Sequence, residues 1–332
     1  MNDRSALPGS GSRPAVGLAD LAQLVRAPAA LSVPGDVLAG AAAAGRPLRA
    51  RTFGVMGSSV CLYWAGMALN DYADATVDAV ERPGRPVPSG RIPRRTALAV
   101  AGALTAGGLA LAAASGGRRS LLGALPLAGA VWAYDLKLKS TPAGPAAMAA
   151  ARTLNVLTGA LAAAGRGPDR TSATGAALLR GAVPAALVGA HTYTLTVLSR
   201  HEISGAPARL PAATLAASTT TALAVALPAV RTARAHRAGR DGASAVSPSA
   251  AARAAVVTAG ALAYLGSYGT AQARAVRKPS GENVRRAVGA GILGLMPLQA
   301  ALTARSGATA AAAALGVAHP LARRLARHVS PT

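Results

Sequence analysis

Long apolar segments set the strongest limit on what this chain can fold into. Nine of them, each about 17–25 residues long, begin near positions 24, 53, 96, 119, 143, 174, 210, 250 and 286 and carry few charges. A helix of about 20 apolar residues crosses the hydrocarbon core of a bilayer. The sequence therefore predicts an all-α, polytopic membrane protein, an intramembrane bundle of about nine transmembrane helices around a central cavity.

The composition supports a membrane protein over a nucleic-acid-binding one. Charged residues make up 14% of the chain, whereas soluble domains carry roughly 25%. The formal net charge of +23 has two readings, binding to nucleic acid or contact with anionic lipid. The basic residues lie in short clusters between apolar segments, and only 3% of residues are aromatic, so stacking side chains are scarce. We therefore expect membrane lipids as partners and no nucleic acid.

The chain divides into a tail and one domain. Residues 1–16 are polar and rich in Gly, Ser and Pro, which indicates a disordered N-terminal tail. Residues 17–328 contain all the apolar segments and are expected to form a single transmembrane domain. With nine spans, the loop that follows the second segment lies on the side with slightly more Lys and Arg. The positive-inside rule then predicts the cytoplasmic membrane, with this loop facing the cytoplasm.

Carboxylates are concentrated directly after the second segment. The chain has 12 Asp and Glu residues in all, and Asp71, Asp74 and Asp78 lie within one short stretch. On a helix, this spacing puts them on one face together with Asn70. Three such carboxylates repel one another unless a cation lies between them, and hard oxygen ligands suit Mg²⁺. We therefore expect a magnesium site; a solvated polar loop is the alternative.

A basic, Pro-rich segment, residues 81–91, follows the carboxylates. It contains Arg82 and Arg85, and arginine binds phosphate oxygens through a charged fork of donors. Mg²⁺ commonly shares its coordination shell with substrate phosphates. Carboxylates beside arginines at a helix end therefore predict the binding of a magnesium diphosphate.

The pattern N-D-x-x-D-x-x-x-D over Asn70–Asp78, followed by E-R-P-x-R-P-x-P-S-G over Glu81–Gly90, resembles the first signature of the UbiA-type intramembrane prenyltransferases. The opening L-x-R-x-P-x-x-L over Leu24–Leu31 is similar to that family as well. The resemblance implies Mg²⁺-dependent transfer of a prenyl group from a prenyl diphosphate to a small acceptor, expected to be aromatic, inside the membrane. It also implies that the three carboxylates are catalytic metal ligands and that the diphosphate is bound by Asn70, Arg82 and Arg85.

The resemblance assigns roles to residues in two later segments. Lys137, with Lys139 second, is expected to be catalytic and to reach the diphosphate; anchoring at the membrane interface is the alternative. Arg152 lies inside the fifth segment, where a charge is costly and usually faces a cavity. We expect Arg152 to meet the diphosphate and Asn155 to bond a ligand or backbone. A polar contact between helices is the alternative for both residues.

The family's second acidic motif belongs after the sixth segment, and here it is degenerate. Glu202 is the only carboxylate in residues 198–205, and Ser199 and His201 stand where acids are expected. We expect Glu202 to serve a second metal and Arg200 to bind the diphosphate in place of missing metal charge. The R-x-E-x-x-G form is similar to the divergent EboC-like branch of the superfamily. A surface-loop histidine is the alternative role for His201.

A second function stays open on the sequence alone. A catalytically silent or transport-related protein of the same fold, binding isoprenoids or other lipids, would keep the first motif and tolerate the weak second one. The three carboxylates and the basic segment favour the enzyme. Candidates to line an acceptor pocket are His191, Thr192 and Tyr193; a core tyrosine with a satisfied hydroxyl is the alternative.

Overall fold

The computed structural model describes residues 16–45, 48–163, 170–238 and 248–329. Within these ranges the chain is helical and contains no strand, as the sequence predicts. Residues 1–15, most of the predicted tail, lie outside the described residues. The helices are α1 Leu18–Leu24, α2 Val33–Ala43, α3 Ala50–Ala73, α4 Ala75–Glu81, α5 Arg94–Ala133, α6 Gly144–Ala163, α7 Arg170–Ser199, α8 Arg209–Ala238, α9 Pro248–Tyr264, α10 Thr270–Arg277, α11 Gly281–Arg305 and α12 Thr309–Val329.

Three short segments of different helical pitch interrupt this series. A 3-10 helix over Ala27–Ser32 precedes α2. Two π-helical segments, Tyr134–Leu138 and Leu265–Gly269, follow α5 and α9. Such wide turns often lie near functional sites, and the first of them contributes to the site below.

Seven helices in the described ranges are long and apolar enough to cross a membrane. The longest, Arg94–Leu138, is two spans, because Gly117 leaves the helical conformation with φ 61° and ψ −147°. Trp132 Nε1 donates to Thr105 Oγ1 at 3.0 Å, although a straight helix would separate these residues by about 40 Å. The halves, α5a (residues 94–116) and α5b (residues 118–133), therefore form a hairpin. With the shorter apolar helix Ala30–Ala43, the described residues hold nine apolar helices, in agreement with the sequence.

The first predicted span is broken into pieces. Arg26, after α1, adopts the left-handed region with φ 45° and ψ 53°. Pro28 and Pro34 lie within the first two positions of the 3-10 helix and of α2. Because proline lacks the N–H that a helix interior needs, each begins a new segment. Asp36, in the first turn of α2, is completely buried, so α2 begins inside the bundle.

The backbones of α2 and α6 are in direct contact. A Cβ added to Gly40 would overlap the carbonyl oxygen of Val156, and one added to Gly159 would overlap that of Val37. No other residue fits at either position without moving a helix. Small residues allow membrane helices to approach in this way, so these two glycines have a packing role.

Four loops meet at one end of the bundle. Lys139 Nζ lies 2.6 Å from Asp74 Oδ1, and Arg200 donates to the carbonyl oxygen of Lys139 at 3.0 Å. Ala206 N donates to the carbonyl oxygen of Pro279 at 3.0 Å. These loops, here called the motif face, are residues 74–93, 139–143, 200–208 and 278–280.

The motif face predicts one-sided labelling. Single cysteines at Val80, Thr141 and Ser204, in a background with the sole native cysteine, Cys61, replaced by Ser, are expected to react with a membrane-impermeant maleimide from one side of sealed vesicles. Ser306→Cys, exposed at the opposite end after α11, is the control and is expected to react from the other side. Labelling of Val80→Cys and Ser306→Cys from the same side would contradict the fold.

Candidate functional site

The first motif keeps its helical register although the helix breaks within it. α3 ends at Ala73, and Asp74 joins it to α4 with φ −90° and ψ 8°. Asp74 N still donates to Asn70 O at 2.9 Å, and Asp78 N donates to Asp74 O at 2.8 Å. These hydrogen bonds span four residues, as in an unbroken α-helix. The motif side chains therefore stay neighbours, as their spacing predicts.

Asp71 and Asp78 are buried, each with 1% of its surface exposed, and share one cation. Arg85 Nη1 lies 2.5 Å from Asp78 Oδ2 and 3.6 Å from Asp71 Oδ1. Arg26 Nη2 donates to Asp71 Oδ1 at 2.8 Å, and Arg82 Nη1 lies 3.7 Å from Asp78 Oδ1. Burying a carboxylate is costly unless cations and hydrogen bonds accompany it. The three arginines compensate for the burial of both carboxylates.

Asp74 faces a different cation. Lys139 Nζ lies 2.6 Å from Asp74 Oδ1, whereas Lys137, the lysine that the sequence favours, is exposed. The π-helical segment explains the difference, because Lys139 N donates to Tyr134 O, five residues earlier, at 2.9 Å. This wider turn places the later lysine beside α3.

Two residues of the site are missing from the sequence predictions. Arg26 holds Asp71 and also donates to Asn70 Oδ1 at 3.3 Å. It is the one non-glycine residue with a positive φ in the described part of the chain, and such strained residues concentrate at functional sites. Asp135 is 6% exposed and accepts a hydrogen bond from Asn70 Nδ2 at 3.3 Å. An acid inside an apolar segment was the available signal for Asp135.

Arg200 holds two loops together. Its side chain is exposed, and its Nη2 donates to the carbonyl oxygens of Lys139, at 3.0 Å, and of Thr141. Both carbonyls belong to the loop between α5 and α6, which is thereby fixed against the end of α7. A guanidinium has five donors, and these two contacts neutralise none of its charge.

Glu202, the carboxylate of the second motif, is influenced by an arginine of the first motif. Its carboxyl is half buried, which raises its pKa, and the guanidiniums of Arg285 and Arg82 oppose that rise. Arg82 also lies 3.7 Å from Asp78. Arg82 therefore faces a carboxylate from each motif.

The carboxylates fit a magnesium ion as a pair. Within the described ranges, no three His, Cys, Asp or Glu side chains are grouped closely enough to hold a metal, so Asp74 and Glu202 do not join the other two in one cluster. Asp71 and Asp78 are nevertheless presented to a single cation, the guanidinium of Arg85. Mg²⁺ usually takes one or two carboxylates and completes its shell with water and phosphate oxygens. This pair is a sufficient set of protein ligands.

Comparison with known proteins assigns the chain to a family. Residues 33–328 match the model of the UbiA prenyltransferase family. The chain belongs to this family. The digeranylgeranylglyceryl phosphate synthase of Halobacterium salinarum is 38% identical over 136 residues, which are 40% of this chain and 48% of that protein. The UbiA-family chain spans about half or less of the length of the curated relatives that it matches.

Solved UbiA homologues share the fold. The homologue from Aeropyrum pernix K1 has a TM-score of 0.55 and 22% identity, over 80% of this chain and 94% of that one. The homologue from Archaeoglobus fulgidus, solved with GPP and Mg²⁺ bound, has a TM-score of 0.53 and 16% identity, over 83% and 99%. The expected UbiA-type helical bundle is confirmed. Together with the seven candidate spans, the family makes the chain an integral membrane protein.

In this UbiA-family protein, Arg152 lies in the core of the bundle. Its Nε is 2.9 Å from Asp36 Oδ2. Asp36 also accepts hydrogen bonds from Asn155 Nδ2, at 3.0 Å, and from Gln299 Nε2, at 2.6 Å. The guanidinium carbon of Arg152 lies 5.3 Å from the centre of the Tyr63 ring. The structure thus favours the alternative role for Arg152 and Asn155, a polar contact between helices.

The three candidates for the acceptor pocket lie in different surroundings. Tyr193 is 47% exposed. Thr192 Oγ1 donates to Val188 O, within its own helix, at 2.9 Å. His191 is buried, and its Nδ1 lies 2.9 Å from the hydroxyl of Tyr264 on α9. His191 therefore joins α7 to α9 through its side chain.

The core ion pair predicts a large loss of stability in a single variant. Arg152→Met leaves Asp36 buried without its cation, which costs about 3–5 kcal/mol. We expect a lower midpoint of thermal unfolding in detergent. The double variant Asp36→Asn, Arg152→Met removes both charges and is expected to recover part of the loss. An unchanged midpoint for Arg152→Met would contradict a structural role for this residue.

Proposed function

We propose that this chain transfers a prenyl group from a prenyl diphosphate to a small acceptor within the membrane, with Mg²⁺ as cofactor. The observation that carries the proposal is the position of Arg85 Nη1 between Asp78 Oδ2, at 2.5 Å, and Asp71 Oδ1, at 3.6 Å. Two buried carboxylates open to one cation, and the other cations of the motif face surround them. Membership in the UbiA prenyltransferase family supports the same activity.

Asp71 and Asp78 are the residues that would hold Mg²⁺, and Asp74 orients Lys139. When bound, Mg²⁺ supplies positive charge to the diphosphate oxygens and so makes the diphosphate a better leaving group. The homologue from Archaeoglobus fulgidus was solved with both GPP and Mg²⁺, which supports this cofactor. Glu202 is kept as a candidate for a second ion, because Arg82 acts on its carboxyl and also lies 3.7 Å from Asp78 of the first motif.

The basic residues of the motif face would bind the diphosphate and stabilise its departure. The bond between C1 of the prenyl group and the bridging oxygen breaks, and its electron pair leaves with the diphosphate. Arg82, Arg85, Lys139 and Arg200 come from three different loops and place positive charge around that group. The prenyl chain would lie among the apolar helices, which keep water from the cationic carbon.

The acceptor we favour is a lipid alcohol that carries a glyceryl phosphate. The curated relatives are named digeranylgeranylglyceryl phosphate synthases, and none of these names points to the aromatic acceptor expected from the sequence. The hydroxyl oxygen of such an acceptor attacks C1 and forms a C–O bond, and the released diphosphate takes up the hydroxyl proton. This finer assignment rests on the relatives' names.

A silent lipid-binding role is the second candidate. It is favoured by the degenerate second motif, which retains Glu202 alone, and by the lack of a three-ligand metal cluster among the described residues. The pairing of all three carboxylates of the first motif with cations favours the enzyme.

For the placement of the chain, we propose that the domain extends over residues 17–328 and that the motif face is exposed to the cytoplasm. The family match over residues 33–328 supports a single domain. The excess of basic residues on the loops of this side supports the orientation.

Purified protein with labelled prenyl diphosphates separates the two candidates. With Mg²⁺ and a glyceryl phosphate lipid alcohol, we expect diphosphate release that depends on the acceptor, and no release after chelation of the metal. A phenolic acceptor of similar apolar content is the control for acceptor class. If no combination of chain length and acceptor releases diphosphate while the prenyl diphosphate still binds, the silent role is correct.

The register of the π-helical segment predicts which lysine matters. Lys139→Gln is expected to lower kcat/KM about ten- to a hundredfold, because a charged hydrogen bond contributes roughly 1.5–3 kcal/mol. Lys137→Gln is the matched control, with the same change two positions away on an exposed side chain, and is expected to stay within about twofold. If Lys137→Gln lowered kcat/KM more than Lys139→Gln does, Lys137 would have the role expected from the sequence.

A further inference from the structure

The end of the bundle opposite the motif face, here called the far end, is basic. α2, α5a, α6, α8 and α11 finish there, and α3, α5b, α7 and α9 begin there. No Asp or Glu of the described ranges lies at this end, whereas arginines lie at most of its helix termini. Examples are Arg51 on α3, Arg118 at the α5 turn, Arg234 on α8, Arg253 on α9 and Arg305 on α11.

The residues between the described ranges do not reverse this balance of charge. By sequence, residues 46–47, 164–169 and 239–247 add Asp169 and Asp241, against Arg46, Arg166 and Arg240. These residues thus add more basic than acidic side chains by sequence, and a ligand drawn to the described far end would be an anion.

Two clefts open at the far end, on either side of Arg305. The first has a volume of about 210 Å³ and lies between α7 and α11, with Arg180, Val183 and Leu302 in its walls. The second has a volume of about 170 Å³ and lies between α8, α9 and α11, with Thr232 and Arg253 in its walls. Both include Arg305, so one guanidinium serves two neighbouring clefts.

Two of the three cleft arginines, Arg305 and Arg180, are held in place by neutral groups. Arg305 Nη1 donates to the carbonyl oxygen of Ala224 at 3.1 Å, and Arg180 Nη1 donates to that of Ala44 at 3.2 Å. These contacts orient the guanidiniums and leave their charge without a carboxylate in the described residues. Each guanidinium retains further donors, which match the oxygens of a phosphate as a fork.

Apolar side chains beside the clefts face outwards. Leu179 is 77% exposed and Val183 is 49% exposed, next to Arg180. Leu227, next to Pro228 of the second cleft, is 43% exposed. In an integral membrane protein, exposed aliphatic residues of this kind contact lipid chains. A ligand bound in the clefts would therefore contact arginines at one end and lipid-facing aliphatic side chains at the other.

We propose that the two far-end clefts bind the phosphate headgroup of an anionic phospholipid from the adjacent leaflet. In the first cleft, Arg305 contacts the phosphate from the shared wall and Arg180 contacts it from the other side. In the second cleft, Arg305 and Arg253 do the same. Basic pockets between transmembrane helices are suited to anionic headgroups. The site uses no residue of the motif face, so it stands independently of the proposed prenyl transfer.

The test uses the purified full chain in phosphatidylcholine nanodiscs, with and without phosphatidylglycerol. Phosphatidylglycerol is expected to raise the thermal unfolding midpoint by roughly 3–6 °C and to remain bound in native mass spectra. One control experiment adds inorganic phosphate at equal concentration and tests for a soluble anion. A second control adds GPP and tests for a prenyl diphosphate. An equal shift with either of them, competing with phosphatidylglycerol, would overturn the assignment to a phospholipid.

Three single variants locate the site. Arg305→Gln is expected to remove most of the shift and of the bound lipid, and Arg253→Gln about half. Arg253 forms no hydrogen bond or ion pair with another described residue, so Arg253→Gln is expected to keep the fold even if loss of the Ala224 contact destabilises Arg305→Gln. Arg118→Gln, exposed on the same face outside both clefts, is the matched control and is expected to behave like the parent. Equal losses in Arg118→Gln and the cleft variants would reduce the effect to general surface charge and overturn the proposal.

Discussion

The ion pair between Asp36 and Arg152 fixes three helices relative to one another. Asp36 is completely buried and takes contacts from α6 and from α11. It lies in the first turn of α2, where the helix dipole favours a negative charge. A continuous first span would not place a helix terminus at this depth. The break at Arg26 and the prolines that follow therefore belong to the same arrangement as the buried pair.

The requirement for charge neutralisation also organises the motif face. The cations around Asp71, Asp74 and Asp78 come from distant parts of the chain, namely Arg26 before α2 and Lys139 after α5, and from Arg85 in the loop after α4. A buried carboxylate without such partners would be costly. The loops are thus brought together by their charges, and the positive charge needed around a diphosphate is the charge that compensates the carboxylates.

The sequence predicted the features that depend on local patterns. The apolar segments predicted the helices, the start of a new segment near position 119 predicted the division of α5, and the spacing of Asp71 and Asp78 predicted their common side. The features it missed depend on backbone geometry or on contacts between distant segments. The π-helical turn places Lys139 beside Asp74. The left-handed conformation at Arg26 brings the Arg26 side chain to Asp71. The partner of Arg152 is 116 residues away and could not be read from spacing.

The contacts that join three loops of the motif face, residues 139–143, 200–208 and 278–280, are directed at the main chain. Arg200 donates to two carbonyl oxygens, and the amide of Ala206 donates to the carbonyl of Pro279. Every residue type supplies such a carbonyl, so substitutions at the accepting positions leave the contacts in place. The arrangement of these three loops therefore depends little on the side chains at the accepting positions. In this chain, Ser199 and His201 can therefore occupy the second motif without loss of the main-chain contacts that hold its loops.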